Sequence, residues 1–281
     1  MIPVFEKISG LYAKLIMEPA WQSCPNCETD PWDSLRLLLM NYAFERQGRP
    51  EDFAHVAVDV VDELRGRAID EETAEIAWEL FTGKLGQNGL NYSNNPLCPK
   101  GVSYNRKYLR VLKSAKVGKI SVLQLAARDL DGLPMVPWAR RLIEQDNVAE
   151  AHGCLRGVNG IGSKIASYFL RDVALKFGLA PCSSRELLQP IDGWVRLVVR
   201  ILSNTGLGDP ECAAYLVANS SSPERANQGI WYFCAHVAGS SGYLVRKSLA
   251  DRAYLEGLFL KHLNRMKGEA QIAEEFQQEW E

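Results

Sequence analysis

The chain has 281 residues, 47% of them hydrophobic and 23% charged, with a formal net charge of −2. This composition suits a globular protein with one large core or two lobes. No run of 18 apolar residues occurs, so a membrane-spanning helix is not expected.

Helical periodicity dominates from the start. Residues 3–17 carry Glu6, Lys7 and Lys14 among apolar positions, which predicts an amphipathic helix rather than a signal peptide and points to a cytoplasmic protein. Cys24-Pro-Asn-Cys27 has the spacing of half a zinc knuckle, but no second C-x-x-C or H-x-x-H follows. The seven cysteines, an odd number, suit reduced thiols. Helices are then expected over 32–47, 51–65 and 70–84. Their starts carry proline and acidic first-turn residues: Pro31-Trp32-Asp33, Pro50-Glu51-Asp52 and Asp70-Glu71-Glu72. Between Lys100 and Lys119 lie seven basic residues with no acid, interleaved with Tyr104 and Tyr108. A helix over 104–116 would present Arg106, Lys107, Arg110 and Lys113 to phosphates.

Further helices are expected over 120–130, 136–146, 148–156, 163–177, 192–203, 209–218, 222–238 and 245–266. Glycine and proline collect between them. The C-terminal stretch from Gly268 to Glu281 carries five glutamates and no base, which offsets the basic segment in the total charge. No stretch alternates apolar and polar residues at length, so an all-α protein with little or no sheet is predicted.

The segment Val158-Asn159-Gly160-Ile161-Gly162-Ser163-Lys164 is the most distinctive. Two glycines permit a turn that aims successive amides outward, and the helix that follows adds its own free N–H groups. Such a turn forms a seat for a phosphate, with Gly160, Gly162 and Ser163 as its donors. Ile165, Ala166, Phe169, Leu170 and Val173 give the following helix a buried stripe. Downstream, Pro190-Ile191-Asp192-Gly193-Trp194 sets a carboxylate at the start of another apolar helix.

Together the two segments resemble the helix-hairpin-helix DNA glycosylases. The run Gly160-Ile161-Gly162-Ser163-Lys164-Ile165-Ala166-Ser167-Tyr168-Phe169-Leu170-Arg171-Asp172 is similar to the archaeal-type 8-oxoguanine glycosylases in particular. The resemblance covers roughly residues 100–205. It implies a two-lobed all-helical fold, with residues 1–99 and 206–281 in one lobe, the hairpin lobe at 100–205, and the active cleft between lobes. It implies a bifunctional glycosylase and AP lyase of base excision repair, acting on duplex DNA that contains a damaged base. Lys164 would be the nucleophile and Asp192 the carboxylate that stabilises charge on the sugar. The backbone carbonyls of Arg156, Val158 and Ile161 would bind a monovalent cation, K+ or Na+. No other cofactor is implied. Only Cys234 lies beyond Cys212, so the four-cysteine iron–sulfur cluster of some relatives is not expected.

An exposed ammonium is a poor nucleophile, so Lys164 would have to be desolvated in the cleft. Trp194, Trp231 and Phe233 are candidates for a base pocket, since bases stack on aromatic rings. Consecutive residues of a helix point in different directions, so core packing is expected for two of Trp231, Tyr232 and Phe233. Trp194 stands where relatives commonly have histidine. The gap from Lys164 to Asp192 is long and contains the insert-like stretch Leu179–Gln189. A monomer without membrane attachment, associated with the nucleoid, is expected. The alternatives are a glycosylase for another modified or alkylated base and a non-catalytic hairpin that binds DNA.

Overall fold

A computed structural model describes residues 1–44, 50–87, 112 and 120–266. The basic residues Arg106, Lys107, Arg110 and Lys113, the expected helix over 104–116 and the acidic stretch from Gly268 onward lie outside the described residues. Among the described residues the chain is all-α, with only an isolated bridge between Ile120 and Val158.

The helices are α1 (Ile2–Tyr12), α2 (Glu18–Gln22), α3 (Pro31–Leu38), α4 (Pro50–Leu64), α5 (Glu71–Gln87), α6 (Val122–Arg128) and α7 (Met135–Glu144). They continue as α8 (Val148–Gly157), α9 (Ser163–Lys176), α10 (Gly193–Ser203), α11 (Asp209–Asn219), α12 (Pro223–Tyr232), α13 (Gly242–Ala250) and α14 (Arg252–Arg265). π-helical turns extend α1 over Ala13–Met17, α3 over Leu39–Ala43 and α12 over Phe233–Val237.

Side-chain caps set several of the helix starts. Asp30 accepts a hydrogen bond from the Trp32 amide at 2.8 Å, with Pro31 in the first turn of α3. Ser121 and Gln124 form a reciprocal capping box on α6. Two expected spans change. The helix expected over 3–17 runs on to Gln22. Pro19 cannot donate a backbone hydrogen bond, and the π-turn just before it reroutes the ladder, with the Glu18 amide donating to the Ala13 carbonyl. The single helix expected over 245–266 is two, because Asp251 adopts an extended backbone and its carboxylate caps α14 through the Tyr254 amide at 3.2 Å.

The chain divides into two compact units, one of Met1–Glu18 with Gln189–Glu281 and one of Pro19–Leu188. The expected division ran at 1–99 with 206–281 and 100–205; in these units the described residues of 19–87 group with the hairpin segment, and Asp192 belongs to the other unit. The resemblance marks out the segment that carries the motifs, whereas packing groups α3–α5 with α7 and α9.

In the first unit α1 packs on α12. Gly229 makes that approach possible, because a Cβ there would stand 1.7 Å from the Phe5 carbonyl oxygen. Phe5 meets Phe233 edge-to-face at 5.7 Å between ring centroids. Glu6 accepts hydrogen bonds from the Ser220 hydroxyl, the Ser221 hydroxyl (2.9 Å) and the Ser222 amide (3.2 Å), and so binds the start of α12. Burial raises the Glu6 carboxyl, but the three serines together hold it below its ordinary value.

In the second unit α9 is the central helix. Ile165, Ala166, Phe169, Leu170 and Val173 are buried, as the periodicity predicts. Arg171 and Asp172 on the same helix are also buried and ion-paired at 2.8 Å. Tyr42 donates to Asp172 at 3.2 Å and accepts from the Trp21 indole at 3.3 Å, so the buried charges are met by hydrogen bonds. The insert-like stretch is tied down by Asp146, which accepts from the Cys182 and Ser183 amides at 2.8 and 2.9 Å.

Candidate nucleic-acid interface and catalytic residues

α8 ends at Gly157, and Val158 leaves it in an extended conformation. Gly160 then takes φ +86°, a backbone that side chains other than glycine rarely adopt. The Ile161 amide donates to the Val158 carbonyl at 3.2 Å and closes the turn. Val158 and Ile161 are buried and anchor it from below. Ile120 ties its flank: the Asn159 amide donates to the Ile120 carbonyl at 2.8 Å, and the Ile120 amide donates to the Gly157 carbonyl at 3.2 Å.

Gly162 is the N-cap residue of α9, with φ −100° and ψ 179°. Any residue adopts that backbone, and an added Cβ there would meet no atom within 4 Å. Neither conformation nor internal packing requires glycine at this position. What a missing side chain does provide is close access to the first-turn amides of α9, which have no partners within the helix.

Ser163 and Lys164 occupy that first turn, and both are exposed. The Ser163 hydroxyl lies 3.2 Å from Nε2 of His152, and the Ser167 hydroxyl lies 3.3 Å from the same nitrogen. His152 is buried, and burial pushes its imidazole below the usual value, favouring the neutral ring. The Ser163 side chain thus faces the imidazole beneath the turn, while its amide stands at the open helix end. The desolvation expected for Lys164 is not present, since its side chain is exposed.

Asp192 belongs to the first unit. It is the N-cap of α10, and its Oδ1 accepts from the Trp194 amide at 2.9 Å and the Val195 amide at 2.8 Å. α12 steadies the approach to it: Asn227 donates to the Pro190 carbonyl at 3.3 Å, and Gln189 donates to Glu224 at 3.3 Å. Cys234 is buried nearby; burial pushes its thiol up, and the Asp192 charge pushes it further, which keeps the sulfur neutral. One turn along α10, Arg196 pairs with Asp209 at 2.6 Å.

The base-pocket candidates part ways. Phe233 is fully buried against Phe5 and is a core residue, which removes it from the pocket. Tyr232 is buried too, so two of the three neighbouring aromatics pack in the core, as helical geometry predicts. Trp231 is half-buried, edge-on to Tyr12 at 5.8 Å and to His236 at 5.5 Å. Trp194 is half-buried at the start of α10.

Of the carbonyls expected to hold a cation, that of Val158 already accepts the Ile161 amide and has one lone pair left. Among the described residues no group of three His, Cys, Asp or Glu side chains could hold a metal ion. Cys24 and Cys27 are buried, and burial together with Cys24 raises the Cys27 thiol to about 11, which disfavours the thiolate that zinc needs.

Sequence reasoning missed His152 under the hairpin and Ile120 beside it. A histidine among the apolar positions of 148–156 was the available signal for the first. A single bridge residue leaves no periodicity, so none existed for the second. No helix of the described residues is long and apolar enough to cross a membrane.

No protein-family model matches the chain, and no solved structure matches it. An uncharacterized protein of Methanocaldococcus jannaschii is 26% identical over 209 residues, covering 70% of this chain. The match takes in 48% of that protein, so the chain spans about half the length of the curated relative it matches.

Proposed function

We propose that the chain is a bifunctional DNA glycosylase and AP lyase with the two-lobed helix-hairpin-helix fold, acting on 8-oxoguanine in duplex DNA. The observation that carries the reading is the hairpin Val158–Ser163. It has a glycine at positive φ, a second glycine that the protein itself does not require, and an open helix end beside Lys164. A phosphate seated on those amides would bring the strand against Lys164.

A base inside a duplex shields its sugar carbon, so the nucleotide is flipped out before attack. The Lys164 amine attacks C1′, the glycosidic C–N bond breaks, and the base leaves with the electron pair and takes up a proton. Ring opening gives a Schiff base. Loss of a C2′ proton then expels the 3′ phosphate and nicks the strand. Asp192 stabilises positive charge as it develops on the sugar. Lys164 is exposed in the free protein, so the water around its amine must leave when DNA binds.

That exposure favours one other reading, a hairpin that binds DNA without chemistry. A panel of duplexes, each with a single 8-oxoguanine, alkylated purine or uracil, separates the two. Nicking at 8-oxoguanine opposite cytosine, with little action on guanine, is expected. Nicking at another base would overturn the substrate, and binding with no nicking of any duplex would overturn the chemistry.

A further inference from the structure

The first unit carries a basic and aromatic surface of its own. Tyr243 on α13 is 73% exposed, the one large hydrophobic side chain so exposed among the described residues. Arg246 and Lys247 follow at three and four residues, so the three share one face of the helix. Both basic side chains are exposed. The opposite face is core: Val245 and Ser248 are fully buried. The Lys247 ammonium stands 4.2 Å from the centroid of the Tyr254 ring, so the strip runs from one tyrosine through two cations to a second tyrosine.

The charge of this part of the sequence is one-sided. From Arg225 to Ala250 the sequence has no acidic residue. The next two acids in sequence each have a partner, Asp251 the Tyr254 amide and Glu256 the Arg252 side chain at 2.7 Å. Neither Arg246 nor Lys247 has an acidic partner among the described residues.

We infer that this face of α13 binds a nucleic-acid strand, with Tyr243 stacked on an unpaired base and Arg246 and Lys247 on the flanking phosphates. An exposed ring beside cations that have no acidic partner is the combination that holds strands with unstacked bases. A membrane surface would need more apolar area than one ring, and of the other large apolar residues of the helix Val245 is buried and Leu244 and Leu249 are half-buried. The inference rests on the reading of the chain as a DNA-binding protein, but it assigns a second contact that does not involve the hairpin.

Fluorescence anisotropy tests it with three labelled probes: a duplex with one unpaired thymidine, the same duplex fully paired, and oligo(dT). Tyr243→Ala should weaken binding to the first and third by about 5-fold to 150-fold, the range for loss of one base–aromatic stack. The paired duplex should change by less than about twofold, since it offers no base to that ring. Tyr243→Phe keeps the ring and should restore affinity. Converting Arg246 and Lys247 to glutamine together should flatten the log–log salt dependence on duplex by about 1.8, at about 0.9 per phosphate contact. Circular dichroism of these surface variants should match the wild type. Wild-type affinity in Tyr243→Ala would overturn the inference and leave the hairpin reading standing. Loss of binding to anionic vesicles but not to DNA would overturn it in favour of a membrane surface. If the wild-type chain binds none of the probes, both readings fall.

Discussion

Replacing Asp192 separates a helix cap from a catalytic group. Its Oδ1 accepts two backbone amides at 2.9 and 2.8 Å, so the side chain has a structural duty whatever else it does. Asparagine keeps an oxygen at the same place and caps helices about as well as aspartate. Asp192→Asn should therefore melt within about 2 °C of wild type, since about 0.5 kcal/mol moves a chain of this size by that much. Asp192→Ala loses the oxygen that accepts both amides and should cost about 0.5–2 kcal/mol, a fall of about 1–8 °C. The catalytic effect should follow a different order. Removing a preorganised electrostatic partner costs about 2.7–4 kcal/mol of transition-state stabilisation, or about a hundredfold to a thousandfold in rate. Both variants lose the charge and should excise the base at least a hundredfold more slowly, although only one of them loses the cap. Single-turnover excision of 8-oxoguanine, scored by alkaline cleavage, gives the rates, and thermal melts give the stabilities. Excision by Asp192→Asn at the wild-type rate would refute the reasoning and leave Asp192 as a cap alone.

Three further outcomes follow from the geometry. Gly162→Ala should fold normally, at a cost of about 1 kcal/mol or less for a poorer N-cap, yet weaken duplex binding at least tenfold, about 1.4 kcal/mol, because its methyl stands where a phosphate would approach; unchanged affinity in an anisotropy titration would argue against that seat. Gly229→Ala should destabilise the first unit by about 3 kcal/mol or more, because its Cβ would lie 1.7 Å from the Phe5 carbonyl oxygen and only backbone movement can relieve that. Urea titration would show it, and a wild-type midpoint would mean α1 and α12 are farther apart than described. The Glu6 carboxyl is held below its ordinary value when folded, so it contributes stability above its unfolded pKa and loses it as pH falls through the lower folded value. Glu6→Gln should be less stable than wild type at pH 7, with the difference closing below about pH 4; a constant gap in melts across that range would rule the linkage out.

Much of the fold was legible because helices advertise themselves through apolar period and capping residues. The stripe on α9, the start of α3 at Pro31, the place of Asp192 at the start of α10 and the break after Gly157 could each be read from local chemistry. What could not be read depends on contacts far apart in sequence. Glu6 reaches Ser220–Ser222 across more than two hundred residues, and Tyr42 reaches Asp172 across 130. Grouping of the described residues of 19–87 with the hairpin has the same origin. Within the site, Gly160 was readable because positive φ selects glycine, whereas the exposure of Lys164 and the burial of Phe233 are set by neighbouring elements that leave no mark on their own segments.

Borohydride trapping tests the lysine chemistry most directly. Wild-type protein incubated with duplex containing 8-oxoguanine opposite cytosine, in the presence of borohydride, should give a covalent protein–DNA band as the Schiff base is reduced. Lys164→Ala should give none while it still shifts the same duplex in a binding gel. A band of wild-type intensity from Lys164→Ala would contradict the assignment of Lys164 as the nucleophile, and no band from the wild-type protein would contradict the Schiff-base mechanism itself.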